Sequence, residues 1–212
     1  MKSQFLFALL TIITLLSNYS CASLSGLEEG RVLGENGSEL IIAGNLTNSP
    51  DIFDTDFSSE DIDESIIFPN IELSYKRGIS EKLDLGIKTN TTFNTSIFAK
   101  YQFVGDEVST FALSSGITLE SILGITYSVG VPIYASYYPD ENITINFAPR
   151  YTYQSILNSE GSAGYLGGNF GILFGSRNKF GIDIGYYNVA VEGVSGTLIN
   201  IGFGGKFRLG KY

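Results

Sequence analysis

TLINIGFGGKFRL, residues Thr197 to Leu209, puts Ile199, Ile201, Phe203, Phe207 and Leu209 on one parity and Asn200, Gly202, Gly204, Lys206 and Arg208 on the other. That period of two is the signature of a β-strand with one apolar face. A strand this late in the chain needs a partner. If the preceding strands form an antiparallel meander, the open edge is the first strand, near Ser38 to Thr47. Pairing first with last closes the sheet and removes both edges.

Outward from that stretch the same rhythm recurs. Ile71, Leu73 and Tyr75 precede the turn RGISE; Leu83, Leu85 and Ile87 follow it; Phe93 to Phe103 alternates up to VGDE. Phe111, Leu113 and Ile117 mark a fifth strand, and a sixth runs from Leu123 towards Tyr138, where Pro132 predicts a bulge or a break because proline cannot donate to the ladder. After PDEN come Ile145, Phe147, Tyr151 and Tyr153; after SILNSEGS, Leu166 to Phe174; after SRNK, Phe180 to Tyr186; and after EGVSG, the closing strand. The expected fold is all-β, an antiparallel up-and-down barrel of about ten strands over residues 38–212.

Composition narrows the chemistry. The chain has 212 residues, of which 43% are hydrophobic, with 25 Gly, 13 Tyr, 15 Phe, one Cys, no His and a formal charge of −9. The acidic balance and the lack of a basic aromatic patch set nucleic acid aside. Without histidine, and with a single cysteine, a Ser-His triad, a Cys-His dyad, a disulfide framework and the usual zinc sites are out of reach. No catalytic residue, metal site or cofactor is expected. The long apolar run, Phe5 to Leu16, is about a dozen residues, short of the roughly 18 to 20 a spanning helix needs.

Residues 1–20 read as a signal peptide, with Lys2 ahead of that run and Ser17 to Ser20 after it. Cys21 stands at the cleavage point, and the arrangement resembles a bacterial lipoprotein signal, which implies lipidation of Cys21; the alternative is a cysteine removed with the signal. Residues 21–37 show no alternation and are read as a short periplasmic tether. Residues 48–65 form a long loop with Asp51, Asp54, Asp56, Glu60, Asp61, Asp63 and Glu64 and no basic residue. It reads as solvated, with an extracellular ligand or a cation left open as its partner; it lacks the glycine turn of a calcium loop.

Alternation does not say which face of a barrel is apolar. The parity opposite the apolar one is rich in Gly, Ser, Thr, Ala and Asn, which suits a crowded concave interior better than a solvated sheet. Tyr75, Tyr101, Tyr137, Tyr151, Tyr153 and Tyr186 near strand ends fit aromatic girdles, and tight turns at one end contrast with longer loops at the other. Over residues 38–209 the chain resembles the small outer-membrane β-barrel proteins of Gram-negative bacteria, which implies a transmembrane barrel in the outer membrane surrounded by its lipid.

Glu39, Glu72, Lys76, Lys82, Asp84, Lys88, Lys100, Arg150, Asp183, Lys206 and Arg208 then share the lumen. Glu39 is expected near Lys206 and Arg208 with Asp183 at a similar height, and Glu72, Lys76, Lys82 and Asp84 are expected to meet across one hairpin. Three functions follow: an envelope-structural or loop-binding barrel with a plugged lumen, a narrow porin-like channel, or a soluble lipocalin-like barrel with an apolar pocket. Oligomeric state and ligand identity are not legible.

Overall fold

A computed structural model describes residues 25–48, 67–157, 161–191 and 194–210. The expected signal peptide, Cys21 and nearly all of the acidic loop lie outside those residues. Ten strands follow one another: β1 (Ser38–Asn48), β2 (Ile67–Ser80), β3 (Leu83–Asn90), β4 (Asn94–Val104), β5 (Phe111–Ile122), β6 (Thr126–Asp140), β7 (Ile143–Ile156), β8 (Ser162–Phe174), β9 (Asn178–Val191) and β10 (Val194–Leu209). Each pairs antiparallel with its neighbours in sequence, and β1 closes on β10 from Ser38↔Leu209 to Thr47↔Asn200. The closure leaves no unpaired edge, which a spanning sheet cannot tolerate in hydrocarbon.

The two faces are inverted relative to a soluble barrel. Ile42, Leu73, Ile87, Ile97, Ile117, Val129, Tyr151, Phe170, Ile184 and Phe203, one from each strand in turn, all point outward and are exposed. Lys76, Lys100, Lys206, Glu72 and Asp84 point inward and are at most 2% exposed. An apolar belt around the whole circumference is a surface for lipid, because water would leave it as one large unsatisfied patch. This overturns the lipocalin-like alternative, in which the apolar side chains would line the interior. Tyr75, Tyr101, Tyr137, Tyr151, Tyr153 and Tyr186 lie on the outer face, as aromatic girdles require.

Two local departures from the expected pattern have simple causes. Leu123, Gly124 and Ile125 form the β5–β6 connection rather than the start of a strand, with Leu123 and Gly124 both at positive φ. Pro132 produces no register shift. The ladder to β5 passes from Ser115↔Ile133 to Thr118↔Gly130 in one register, and the ladder to β7 from Pro132↔Arg150 to Ala135↔Phe147. Pairing lapses between those points, where Pro132 and Pro149 have no N–H to give.

Lysine at Ile184 tests which side faces lipid. Ile184 is outward, central on β9 and flanked by Phe170 and Ile201. Ile184→Lys should lower folding stability in lipid vesicles by about 2–4 kcal/mol, measured by urea titration.

Candidate functional site

The lumen is the place where the fold gathers chemistry, and its centre is the segment read as a tether. Residues 25–37 do not hang below the barrel; they run inside it. Ser25, Leu27, Glu28, Glu29, Val32 and Leu33 are all buried. The reason is electrostatic. Inward-facing positions of β2, β4, β9 and β10 carry Lys76, Lys100, Lys179 and Lys206, while among the described residues the nearby wall supplies only Glu39 and Asp84 as partners within salt-bridge reach. Glu28 and Glu29 make up the difference.

Together the eight groups form one alternating chain. Asp84 reaches Lys100 at 3.5 Å, Lys100 reaches Glu28 at 3.3 Å, Glu28 reaches Lys76 at 2.6 Å, and Lys76 reaches Glu39 at 2.9 Å. Glu39 reaches Lys206 at 3.4 Å, Lys206 reaches Glu29 at 3.2 Å, and Glu29 reaches Lys179 at 2.9 Å. Taking charges from water is costly unless each meets opposite charge and hydrogen bonds. Here every one of the eight charges meets opposite charge, and the segment is the middle of the ion chain twice over.

Main-chain contacts hold the segment as firmly as the charges do. Gly30 N–H donates to Ser136 Oγ at 2.7 Å, Val32 N–H to Gln102 Oε1 at 2.8 Å, and Leu33 N–H to Asp84 Oδ1 at 3.0 Å. Lys100 Nζ donates to the carbonyls of Glu29 and Arg31 at 3.1 and 2.9 Å. Leu27 packs with Ile41, Ala43 and Leu173, and the Arg31 guanidinium lies 3.6 Å over the Tyr138 ring. At the mouth, Gly78 N–H donates to Gly37 O at 2.8 Å and Asn36 N–H to Gly78 O at 3.1 Å, which leads the segment into β1.

Above the segment, towards the loop end, a second layer fills the lumen. Tyr187, Tyr165, Val189 and Leu198 form a buried cluster, with the Tyr187 hydroxyl donating to Asn169. Lys88 pairs with Glu72 at 3.2 Å, and the hydroxyl of Ser25 donates to Glu72. Glu120 accepts from Asn94 at 3.0 Å. Below the segment, the turn end opens into a cavity of about 580 Å³ lined in part by Glu29, Arg31, Tyr138, Lys179 and Arg208.

Of the expected lumen residues, Glu39, Lys76, Asp84, Lys100 and Lys206 meet in the alternating chain, and Glu72 and Lys88 meet above it. Arg150 donates to Ser25 O at 3.5 Å. Asp183 is not level with Lys206: it lies opposite Gly202 and accepts from Asn169 at 2.7 Å. Lys82 is not in the lumen, because it precedes β3 in the tight turn and is exposed. Glu72, Lys76, Lys82 and Asp84 do not form one cluster, since Glu72 pairs with Lys88, and Asp84 with Lys100. Arg208 is half-buried at the mouth. Glu28, Glu29, Lys179 and Glu120 are lumen residues beyond the expected set; the excess of lysine on the inner parity was the available signal for the missing carboxylates. Among the described residues no group of three or more His, Cys, Asp or Glu is placed to hold a metal ion.

Burial alone would raise the carboxyls of Glu28 and Glu29, but Lys76 and Lys100 hold the first, and Lys206 and Lys179 the second, well below the ordinary 4.5. A carboxyl depressed in the folded state stabilises it above the ordinary value, and that stabilisation is lost as the pH falls towards the folded value. Retention of the segment should therefore be constant from pH 7 to about 5 and weaken progressively below about 4.5. Glu28→Gln takes one of two carboxylate partners from Lys76 and Lys100, and Glu29→Gln takes one of two from Lys206 and the carboxylate paired with Lys179; either should cost about 3–5 kcal/mol. Hydrogen exchange at Gly30, Val32 and Leu33 should then accelerate about a hundredfold or more at neutral pH.

No family model matches the chain, and no curated protein matches it. Solved structures are similar in outline, three of them as follows. The outer membrane protein OprG from Pseudomonas aeruginosa is 12% identical with a TM-score of 0.38, over 87% of this chain and 100% of that one. Ail, the attachment invasion locus protein of Yersinia pestis, is 12% identical with a TM-score of 0.31, over 82% and 99%. A bacterial polysaccharide outer membrane secretin is 9% identical with a TM-score of 0.38, over 83% and 99%. At these levels the likeness adds nothing to what the barrel's own apolar belt and charged lumen carry.

Proposed function

We propose that this chain is a non-enzymatic barrel of the bacterial outer membrane, closed at rest by its own amino-terminal segment, with an envelope-structural or loop-binding role. The observation that carries the closed state is the alternating ion chain, in which Glu28 and Glu29 each join two lysines of the wall. A permeation path would have to break it. The signal-like residues 1–20 followed by Cys21 support export and lipid attachment of the mature chain. The absence of histidine and the engagement of the lumen carboxylates by lysine or amide partners support a role without catalysis.

The channel reading has one specific observation in its favour, the cavity of about 580 Å³ at the turn end, which would be the vestibule of a pore. It stops at Glu29, Arg31 and Val32. Ion conductance of the refolded chain in a planar bilayer separates the two readings. Inserted full-length protein at neutral pH should be silent, and reproducible ohmic steps under those conditions would replace the closed barrel with the channel. Glu28→Gln/Glu29→Gln protein should conduct intermittently where the parent does not.

A further inference from the structure

The segment Ser25–Gly37 is held in the way a receptor holds a ligand, by contacts that read successive positions and the main chain between them. Leu27 occupies a recess formed by Ile41, Ala43 and Leu173. Glu28 takes Lys76 and Lys100, and Glu29 takes Lys179 and Lys206 with the Tyr138 hydroxyl donating at 3.3 Å. At position 30 a side chain would collide with the Ala112 carbonyl, so the site accepts glycine there. Ser136, Gln102, Asp84 and Lys100 satisfy the main chain on both its donors and its acceptors.

We infer that the lumen is a binding site for an extended acidic peptide of the form apolar–Glu–Glu–Gly, and that the chain's own segment occupies it as an exchangeable ligand. Every recognising group belongs to the barrel wall, on β1, β2, β3, β4, β5, β6, β8, β9 and β10, and none to the segment itself. Remove the two glutamates and the alternating chain falls into pieces: Asp84 with Lys100, Lys76 and Lys206 sharing Glu39, and Lys179 alone of the eight. What is left is a cationic site shaped for two adjacent carboxylates. Recognition does not depend on the chain running on into β1, because the link from Gly34 to Gly37 lies at the mouth, where Glu35 and Asn36 are exposed. The turn-end cavity reaches Glu29, Arg31 and Val32 and gives a peptide its way in and out. A closed barrel does not require this exchange, so conductance silence and peptide exchange fail separately.

The experiment uses the full chain with a protease recognition sequence inserted between Glu35 and Asn36, folded into detergent micelles and then cut. The probe is a fluorescent synthetic peptide of residues 25–35, SGLEEGRVLGE. The cut segment should stay with the barrel at neutral pH, the labelled peptide should replace it over time, and a peptide with Gln at both glutamates should compete about a hundredfold more weakly. Equal competition by the Gln peptide, or failure of the labelled peptide to enter after cutting, overturns the inference. Equal labelling of uncut protein also overturns it, as adsorption outside the lumen. If the insertion prevents folding, judged by heat-modifiable gel mobility, uncut full-length Glu28→Gln/Glu29→Gln protein supplies the second test. It should accept the unmodified peptide in place of its weakened segment, and refusal by that folded protein overturns the inference.

Discussion

Everything in the lumen depends on balancing lysine charge that cannot reach water. Lys76, Lys100 and Lys206 are each at most 2% exposed, on strands whose opposite parity must be apolar to meet lipid. A barrel wall has only one inward side chain per two residues, so room for carboxylates is rationed by the same period that builds the strand. Glu39 and Asp84 fill part of that need, and the rest is met from outside the sheet. The segment before β1 is thus fixed by a shortage in the wall, and its glycines let the main chain approach the wall closely enough to deliver the carboxylates.

The architecture was legible because two periodicities agreed. Outward Ile199, Ile201 and Phe203 and inward Asn200, Gly202 and Lys206 take the faces that alternation assigns them, and β1 pairs with β10 as edge removal demands. The pairing of Glu39 with Lys206 followed from closure alone. Asp183 lies opposite Gly202 and not level with Lys206, because register along β9 depends on where its turn begins, which alternation does not encode. Lys82 shares the parity of Asp84, but parity has no meaning once the chain leaves the ladder for a turn. The irregularity between Gly78 and Ser80 marks where that happens.

The segment itself was illegible for a physical reason. Ser25 to Gly37 has neither period two nor period 3.6, because its conformation is dictated by the wall and not by its own side-chain alternation. SGLEEGRVLGENG reads as a polar linker to any local rule. Only the surplus of lysine over carboxylate on the inner parity carried the information, and that surplus becomes visible after the strands are paired. Charge bookkeeping across a closed sheet is a long-range property that a local window cannot hold.

The lapse in pairing around Pro132 and Pro149 bears on how the wall deforms. A closed barrel resists changes in its cross-section through the hydrogen bonds that tie each strand to the next, and β6 is untied over a short span on both flanks. Lateral pressure from the surrounding acyl chains will therefore distort the circumference there first, making β5–β7 the compliant arc of an otherwise stiff cylinder. Tyr134, buried on that arc, and Lys100, whose ammonium lies 5.8 Å from its ring, put the soft part of the wall next to the ion chain. Bilayer thickness and tension thus have a mechanical route to the electrostatics at the centre.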